Sequence, residues 1–416
     1  MNQGEDPSVQ DFDVLIAGGG MVGASLALAL APLGWRIGML DAHPLDAASS
    51  PSFDDRATAL SWSSRQVFKA LGLWPALVAE AGVIEHIHVS EQGRFGRTRL
   101  HAADLGEQAL GHVVANRVIG HALAEALKRY DNVQVFQARI HGLAGEERHW
   151  ASLHTDQGLM RGRLLVAADG ARSPIRDSLG IAANHLDYGQ QGLVCNLRMT
   201  RPHGNWAYER FTHNGPMAFL PLPDSVAKGH AINLVMSIPR QEADAVLSMG
   251  EATLGQRILN RMGAHLGPVA EIGTRACYPL VQVTARELHR GRCVLAGNAA
   301  ASLHPVAGQG FNLALRGVAD LAERLSAVAM VDGDPGDGNH LAKHVVARQQ
   351  DIRQTLALTR GLLQSFDWPC VGPLRSKALF ALDRLGPLRR GLAHQAAGKQ
   401  AGLSSLARGL PIEGDR

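Results

Sequence analysis

"DVLIAGGGMVGASLALALAPLG", residues Asp13–Gly34, is the stretch from which the architecture of this chain is read. "VLIA" is an apolar run without polar alternation, the pattern of a strand buried on both faces. Glycines end the run, and the segment after Met21 has helical character. "WRIGMLDA" (Trp35–Ala42) then gives a second strand, so the opening predicts strand, tight turn, helix and parallel strand. Gly18, Gly20 and Gly23 place G-x-G-x-x-G in that turn. The first glycine permits the turn, the second lets a pyrophosphate approach the backbone, and the third lets helix and strand pack closely. Asp41 closes the second strand eighteen residues beyond Gly23, where an acid binds a ribose hydroxyl. The motif predicts an adenine dinucleotide without separating NAD from FAD; a glycine-rich packing turn is its bland alternative.

Bulk properties bound the remainder. A chain of 416 residues, 46% hydrophobic and 19% charged, is globular and long enough for two or three structural units. A formal net charge of +3 gives no argument for nucleic acid. Cys195, Cys277, Cys293 and Cys370 form no CxxC pair, which argues against a zinc site or disulfide framework and fits a reducing compartment. "MNQGEDPSVQDFD" (Met1–Asp13) is polar and acidic, unlike a secretory signal. The longest apolar run, "ASLALALAPLG", falls well short of the roughly 18 residues of a membrane span. A soluble or peripheral protein is expected.

Further along, "SRQVFKALGLWPAL" (Ser64–Leu77) and "NRVIGHALAEALKRY" (Asn116–Tyr130) predict helices. "GRLLVAADGARSPIRDSLG" (Gly162–Gly180) again runs strand, turn, helix start. From Gly192 to about Ile238 the texture becomes that of an inserted antiparallel sheet. "RCVLAGN" (Arg292–Asn298) restores the buried strand, and a long helix follows Gly310. "DGDPGDGN" (Asp332–Asn339) is a flexible break, after which the chain is mostly helical.

Two later stretches carry chemistry. In "VAADGARSPIR" (Val166–Arg176), Asp169 is placed to bond backbone or cofactor and Ser173 to cap the next helix. Read alone, this is a capped helix after a tight turn. "GNAAASLHPVAGQGFN" (Gly297–Asn312) crowds glycines, a proline and amides at the entrance to the apolar helix "LALRGVADLAERL".

In order and spacing, these three stretches resemble the flavoprotein monooxygenases that hydroxylate aromatic rings, the para-hydroxybenzoate hydroxylase superfamily. The likeness covers roughly Asp13 to Leu325. "DDRATALSWSSRQVFKALGLW" and "HPVAGQGFNLALRGVAD" narrow it to the ubiquinone-biosynthesis hydroxylases, and Gly297-Asn298-Ala299-Ala300 resembles the 2-polyprenyl-6-methoxyphenol hydroxylase branch. The wider family has Gly-Asp where this chain has Gly297-Asn298; Asn still accepts a hydrogen bond through its carbonyl but carries no charge. Ala314 and Gly317 stand where the ubiquinone group has Gly and Asp.

The resemblance implies an α/β fold: a Rossmann-like FAD-binding domain of the para-hydroxybenzoate hydroxylase type (residues 11–82, 101–182 and 275–330), an inserted antiparallel-sheet substrate domain (83–100 and 183–274) and a helical C-terminal region (340–416). It implies an FAD-dependent monooxygenase that hydroxylates a polyprenylated phenol in ubiquinone biosynthesis through a flavin C4a-hydroperoxide. NAD(P)H is the transient electron donor, since only one dinucleotide fingerprint is present, and O2 the co-substrate. FAD would be held by Gly18, Gly20, Val22, Gly23, Asp41, Arg56, Arg117, Asp169, Asn298, Pro305, Gly308, Gln309, Gly310, Phe311 and Asn312. Backbone N–H groups at Gly308 and Gly310 would reach the pyrimidine edge, where the helix N-terminus favours the negative charge of reduced flavin. Arg56 would lie against the flavin. Arg117 opens a helix, where a cation opposes the dipole and an anionic pyrophosphate explains it. Arg56, Pro305 and His304 are the catalytic candidates, with His304 either tuning proton transfer or packing a loop. No metal is expected.

From Arg360 to Lys399 seven basic residues face two acidic ones, interleaved with "GLLQSF" and "ALFAL". That suits a membrane surface, partner helices of other ubiquinone-biosynthesis proteins, or a solvated helical face. The expected setting is cytoplasmic and peripheral to the inner membrane, with homo-oligomers allowed. Other readings are a flavoprotein hydroxylase or reductase of another substrate class and a non-catalytic FAD-binding subunit of a lipid-biosynthetic complex.

Overall fold

The computed structural model describes residues 9–45, 56–367, 372–399 and 403–412. Cys370, Asp54 and Asp55 of the "DDRATAL" stretch, and the first eight residues lie outside that set. The opening strand, Gln10–Ala17, sits inside an eight-stranded sheet between Ile37–Asp41 and Gly158–Ala167, parallel to both. Val14 and Ile16 enter one core while Leu15 and Ala17 enter the other, which is why the run cannot alternate with polar residues. Cys293–Leu295 adds parallel to Gly158–Ala167, and Val133–Gln137 parallel to Ile37–Asp41. The helix Met21–Leu30 packs against Gln309–Ala329 and Asn116–Leu127.

A nine-stranded sheet faces this unit. Its path runs Ala301–Ser302, Ala276–Ala285, Ala183–Met199, Ala231–Pro239, Gly215–Pro221, Trp206–Thr212, His86–Glu91 and Arg97–His101, and Val269–Ile272 also pairs with Ala183–Met199. Two features depart from expectation. Trp206–Thr212 runs parallel to His86–Glu91, so the sheet is mixed rather than purely antiparallel. The boundary expected at 275 falls inside the sheet, because Ala276–Ala285 continues a strand pairing with Ala183–Met199 before the chain returns to the nucleotide side.

The helix expected over Ser64–Leu77 is interrupted: it spans Trp62–Ala70 and resumes at Trp74, with Gly72 in the left-handed region (φ +70°). The Asp332–Asn339 break does separate two helices, Gln309–Ala329 and Gly338–Asp367, but it is pinned rather than free. Asp334 pairs with Arg292, and a Cβ on Gly336 would overlap the Arg163 carbonyl oxygen at 2.1 Å.

The helices Gly372–Arg384 and Gly386–Ala396 cover the edge strand Arg97–His101. Much of the basic tail is spent there: Arg375 pairs with Glu91, Arg389 with Asp104 at 2.8 Å and Lys399 with Glu107, while Asp383 takes Arg99 at 2.8 Å. Among the described residues no helix is long and apolar enough to cross a membrane.

Candidate functional site

The glycine turn is dictated by backbone. Gly18 has φ +107°, and a Cβ there would stand 2.4 Å from the Ala168 carbonyl oxygen. At Gly23 it would stand 1.9 Å from the Gly18 carbonyl oxygen. Gly20 caps the helix with no side chain, so the first-turn N–H groups around Val22 remain for a ligand. Asp41 Oδ2 accepts the Gly19 N–H at 2.7 Å and Oδ1 the His43 N–H at 2.9 Å, which fixes the carboxylate at the mouth of the turn.

The second stretch ends beside the first, because Gly158–Ala167 is the neighbouring strand. Asp169 Oδ2 accepts the Ile175 N–H at 3.2 Å; its Oδ1 is sealed from solvent and has no hydrogen-bond partner. Burial pushes this carboxyl above the usual range, as expected for an acid awaiting a donor. Ser173 Oγ accepts the Arg176 N–H at 3.0 Å, the cap its position predicts. The Arg176 guanidinium, buried, donates to the Ala171 carbonyl at 3.0 Å and the Ala299 carbonyl at 3.3 Å. It therefore ties the second stretch to the third.

In the third stretch Gly297 has φ +58°, and a Cβ on it would come within 3.1 Å of Val22. All three motifs thus meet around one mouth. Asn298 is exposed in the turn Gly297–Ala299. Pro305 is exposed, and its carbonyl accepts the Gly308 N–H at 3.0 Å. Gly308 (φ +59°) turns the chain into Gln309–Ala329, whose first turn carries no acid. A Cβ on Gly310 would meet nothing within 4 Å, so the backbone there borders open space. Gln309 is half-buried beside it.

One expectation needs correction. Asn312 was expected to offer its side chain to the cofactor, but that group is buried and fully engaged. Its Oδ1 accepts the Ser61 N–H at 2.9 Å and the Ser64 hydroxyl at 2.7 Å, and its Nδ2 donates to the Ala59 and Gly308 carbonyls at 2.9 and 2.7 Å. It clamps the strand Ala57–Ser61 to the helix start. The Phe311 ring packs against the core, 6.2 Å from that of Phe68, which is compatible with the expected use of its backbone amide.

His304 is 2% exposed, with its ring against the edge of Tyr188. Its Nδ1 accepts the Val306 N–H at 3.1 Å, so the neutral ring carries its proton on Nε2, an atom sealed without a partner. Burial pulls its pKa down to about 4. This is a neutral donor near pH 7, not an exchanging acid.

Arg56 and Arg117 are brought together by the Asn116 N–H, which donates to the Arg56 carbonyl at 2.8 Å. Arg117 is exposed in the first turn of Asn116–Leu127. The Arg56 guanidinium lies 4.4 Å from the ring centre of Tyr278, which pairs with Gly192 in the nine-stranded sheet. Arg56 leads into Ala57–Ser61, part of a separate three-stranded sheet with Gly111–Ala115 and Ala81–Ile84, and its side chain reaches from there to the nine-stranded sheet.

That sheet has two unlike faces. Leu193, Cys195, Leu197, Met217, Phe219, Ile232, Leu234 and Met236 are buried with residues of the helices Ala243–Leu247 and Glu251–Met262. The alternating set, Val194, Asn196, Ala218, Leu220 and Val235, remains half-buried on the face that Tyr278 shares. Asn233 lies between Asn196 and Leu220 and donates through Nδ2 to Asn196 Oδ1 at 2.8 Å, which fixes the Asn196 amide with its NH2 unengaged. Sequence reasoning missed this pair, although both stand out as amides in otherwise apolar strands; it missed the bridging role of Arg176 as well.

Residues 11–340 match the family described as FAD binding domain. The chain is 34% identical to the ubiquinone hydroxylase UbiL of Rhodospirillum rubrum, covering 93% of this chain and 89% of that one. It is 29% identical to the 3-demethoxyubiquinol 3-hydroxylase of Escherichia coli, covering 94% and 99%. Among solved structures, p-nitrophenol 4-monooxygenase PnpA of Pseudomonas putida superposes with a TM-score of 0.75 at 20% identity, covering 94% and 98%, a likeness of fold.

Proposed function

This chain belongs to the FAD binding domain family, and from that membership we propose that its three motifs hold FAD over a phenol lodged against the nine-stranded sheet. The protein is an FAD-dependent aromatic-ring monooxygenase of the ubiquinone-biosynthesis group. Its substrate is a polyprenylated phenol. One atom of O2 enters a ring C–H bond, the other leaves as water, and NAD(P)H supplies the two electrons. Bound flavin contributes the acceptance of hydride and the activation of O2.

The chain's own residues set position and charge. In this reading the Gly18–Gly23 turn and the N–H groups beyond Gly20 hold the pyrophosphate, Asp41 the ribose, and Asp169 Oδ1 a cofactor hydroxyl. Arg117 adds positive charge near the pyrophosphate. Asn298 meets the ribityl chain, and the amides of Gly308–Asn312 line the pyrimidine edge at the positive end of a 21-residue helix. In this reading the Asn196 NH2 donates to the phenol oxygen, Arg56 reaches across to Tyr278, and His304, sealed beside Tyr188, fixes the loop at Val306. Pro305 shapes the rim. The dinucleotide belongs with the eight-stranded sheet, while the phenol lies against the nine-stranded sheet through residue 285.

The observation that carries this is the meeting of all three motifs, with Val22 against Gly297 and Arg176 spanning Ala171 and Ala299. The test is direct. Purified protein should be yellow, NADH or NADPH should bleach it without air, and O2 with a short-chain prenylphenol should yield product heavier by one oxygen. Bleaching without oxygen insertion into any phenol would move the protein to another flavoprotein class. Colourless material that stays colourless with added FAD would end the reading. The precursor accumulating in a deletion strain names the ring carbon.

A further inference from the structure

We propose that the hairpin end of the nine-stranded sheet, with the outer faces of the two helices covering it, docks on an anionic phospholipid bilayer. The hairpin joins His86–Glu91 to Arg97–His101, and near its tip Phe95 is 70% exposed. Its ring lies 6.2 Å from that of Phe380, itself 41% exposed on the helix Gly372–Arg384. Leu374, Leu385 and Leu388 are each at least half exposed along the same helical cover. Exposed apolar residues scattered singly need no explanation, but a cluster shared by a hairpin tip and two helices does.

The charges around it are one-sided. Arg97, Lys377, Arg384 and Arg390 are solvent-facing. The acids of these elements are already occupied: Glu91 by Arg375 and Arg94, Asp383 by Arg99. Across the sheet, strand register sets Arg210 beside Ser90 and Ser90 opposite Arg97, with Tyr208, His88 and Arg99 forming the next row. Arg210 has its Nε sealed without a partner, and burial with no carboxylate beside it holds its guanidinium below the usual range. The apolar cluster is thus bordered by the exposed cations Arg97, Lys377, Arg384 and Arg390, the composition of a surface that enters the headgroup layer. A second copy of this chain is a poor occupant, because a two-fold contact would set cation against cation. A layer of phosphate headgroups complements it.

This proposal does not depend on what the flavin site oxidises. The test is flotation of the flavin-loaded protein with vesicles of phosphatidylethanolamine and phosphatidylglycerol, against vesicles of phosphatidylcholine alone. The protein should float with the anionic vesicles, be released by salt, and stay behind with phosphatidylcholine. Phe95→Ser with Leu374→Ser should weaken partition by about tenfold or more, and Arg97→Glu with Lys377→Glu should remove the preference for anionic lipid. Both variants should keep the wild-type flavin-to-protein absorbance ratio; where one does not, Leu388→Ser alone replaces it. Equal flotation with both vesicle types, or wild-type partition by the serine variants, overturns the proposal. So does a wild-type dimer that the same serines turn into monomer, since a second copy would then cover the face.

Discussion

At Gly23 an added Cβ would stand 1.9 Å from a carbonyl oxygen, while at Gly310 it would meet nothing within 4 Å. Both residues belong to the proposed nucleotide cradle, and in sequence both are glycines at the start of an apolar helix. The first is glycine because the chain has no room for anything else: helix and turn are in backbone contact there. The second borders open space, and in the proposed reading the demand on it comes from the bound nucleotide. One turn is a requirement of folding, the other of binding, and their substitutions should separate accordingly.

The largest effect is expected at the first turn. Gly23→Val should cost ~3 kcal/mol or more, because overlap with backbone cannot be relieved by rotating a side chain, and should lose flavin with the fold. Urea unfolding midpoints and flavin content measure it; a variant of wild-type stability would break the contrast. The second turn carries a pH signature. His304 is neutral when folded, with a pKa of about 4 against the ordinary 6.5. Between those values the unfolded chain binds a proton that the folded chain refuses, so stability should be level above pH 6.5 and fall toward pH 4, by at most ~3 kcal/mol from this residue. His304→Asn keeps an acceptor for the Val306 N–H and should flatten the profile; urea midpoints at pH 7 and pH 5 unchanged in their difference would refute the assignment. Gly310→Val should leave the unfolding midpoint nearly intact yet weaken FAD about tenfold to a hundredfold, roughly 1.4–2.7 kcal/mol. A large loss of stability instead would make the two turns alike. The smallest effect is expected on the opposite sheet: Asn196→Leu should lower kcat/KM by about tenfold or less with flavin binding unchanged, the loss of one donor to substrate.

The same contrast explains what could be read before any coordinates. Gly18 and Gly23 were legible because close backbone approach allows one residue type, and the strand at Val14–Ala17 because burial on both faces forbids alternation. Asn312 was recognisable as a polar residue at a helix entrance, yet nothing local told whether its amide would face a ligand or a neighbouring strand. The answer lay in Ser61 and Ser64, remote in sequence. Gly317 looked like a lost aspartate. A Cβ there would lie 2.8 Å from the Arg348 guanidinium, which reaches across from the next helix and donates to the Leu313 carbonyl at 3.0 Å. The substitution belongs to helix packing. Asn196 and Asn233 stood out as single amides in apolar strands, but that they form a pair could not be read because strand pairing, not periodicity, joins them; the boundary near 275 was misplaced because a strand in one sheet and a strand in the other have the same texture.

The insertion of Cys293–Leu295 beside Gly158–Ala167 has a consequence for biosynthesis. The ribosome adds ~5–20 residues per second, so on the order of tens of seconds separate emergence of the glycine turn from emergence of the strand that completes its sheet. For roughly the latter half of that interval the Leu165–Ala167 edge stands unpaired on the nascent chain. An unpaired strand edge is a template for association until its partner arrives, and the three motifs of the proposed FAD site are complete only late in synthesis.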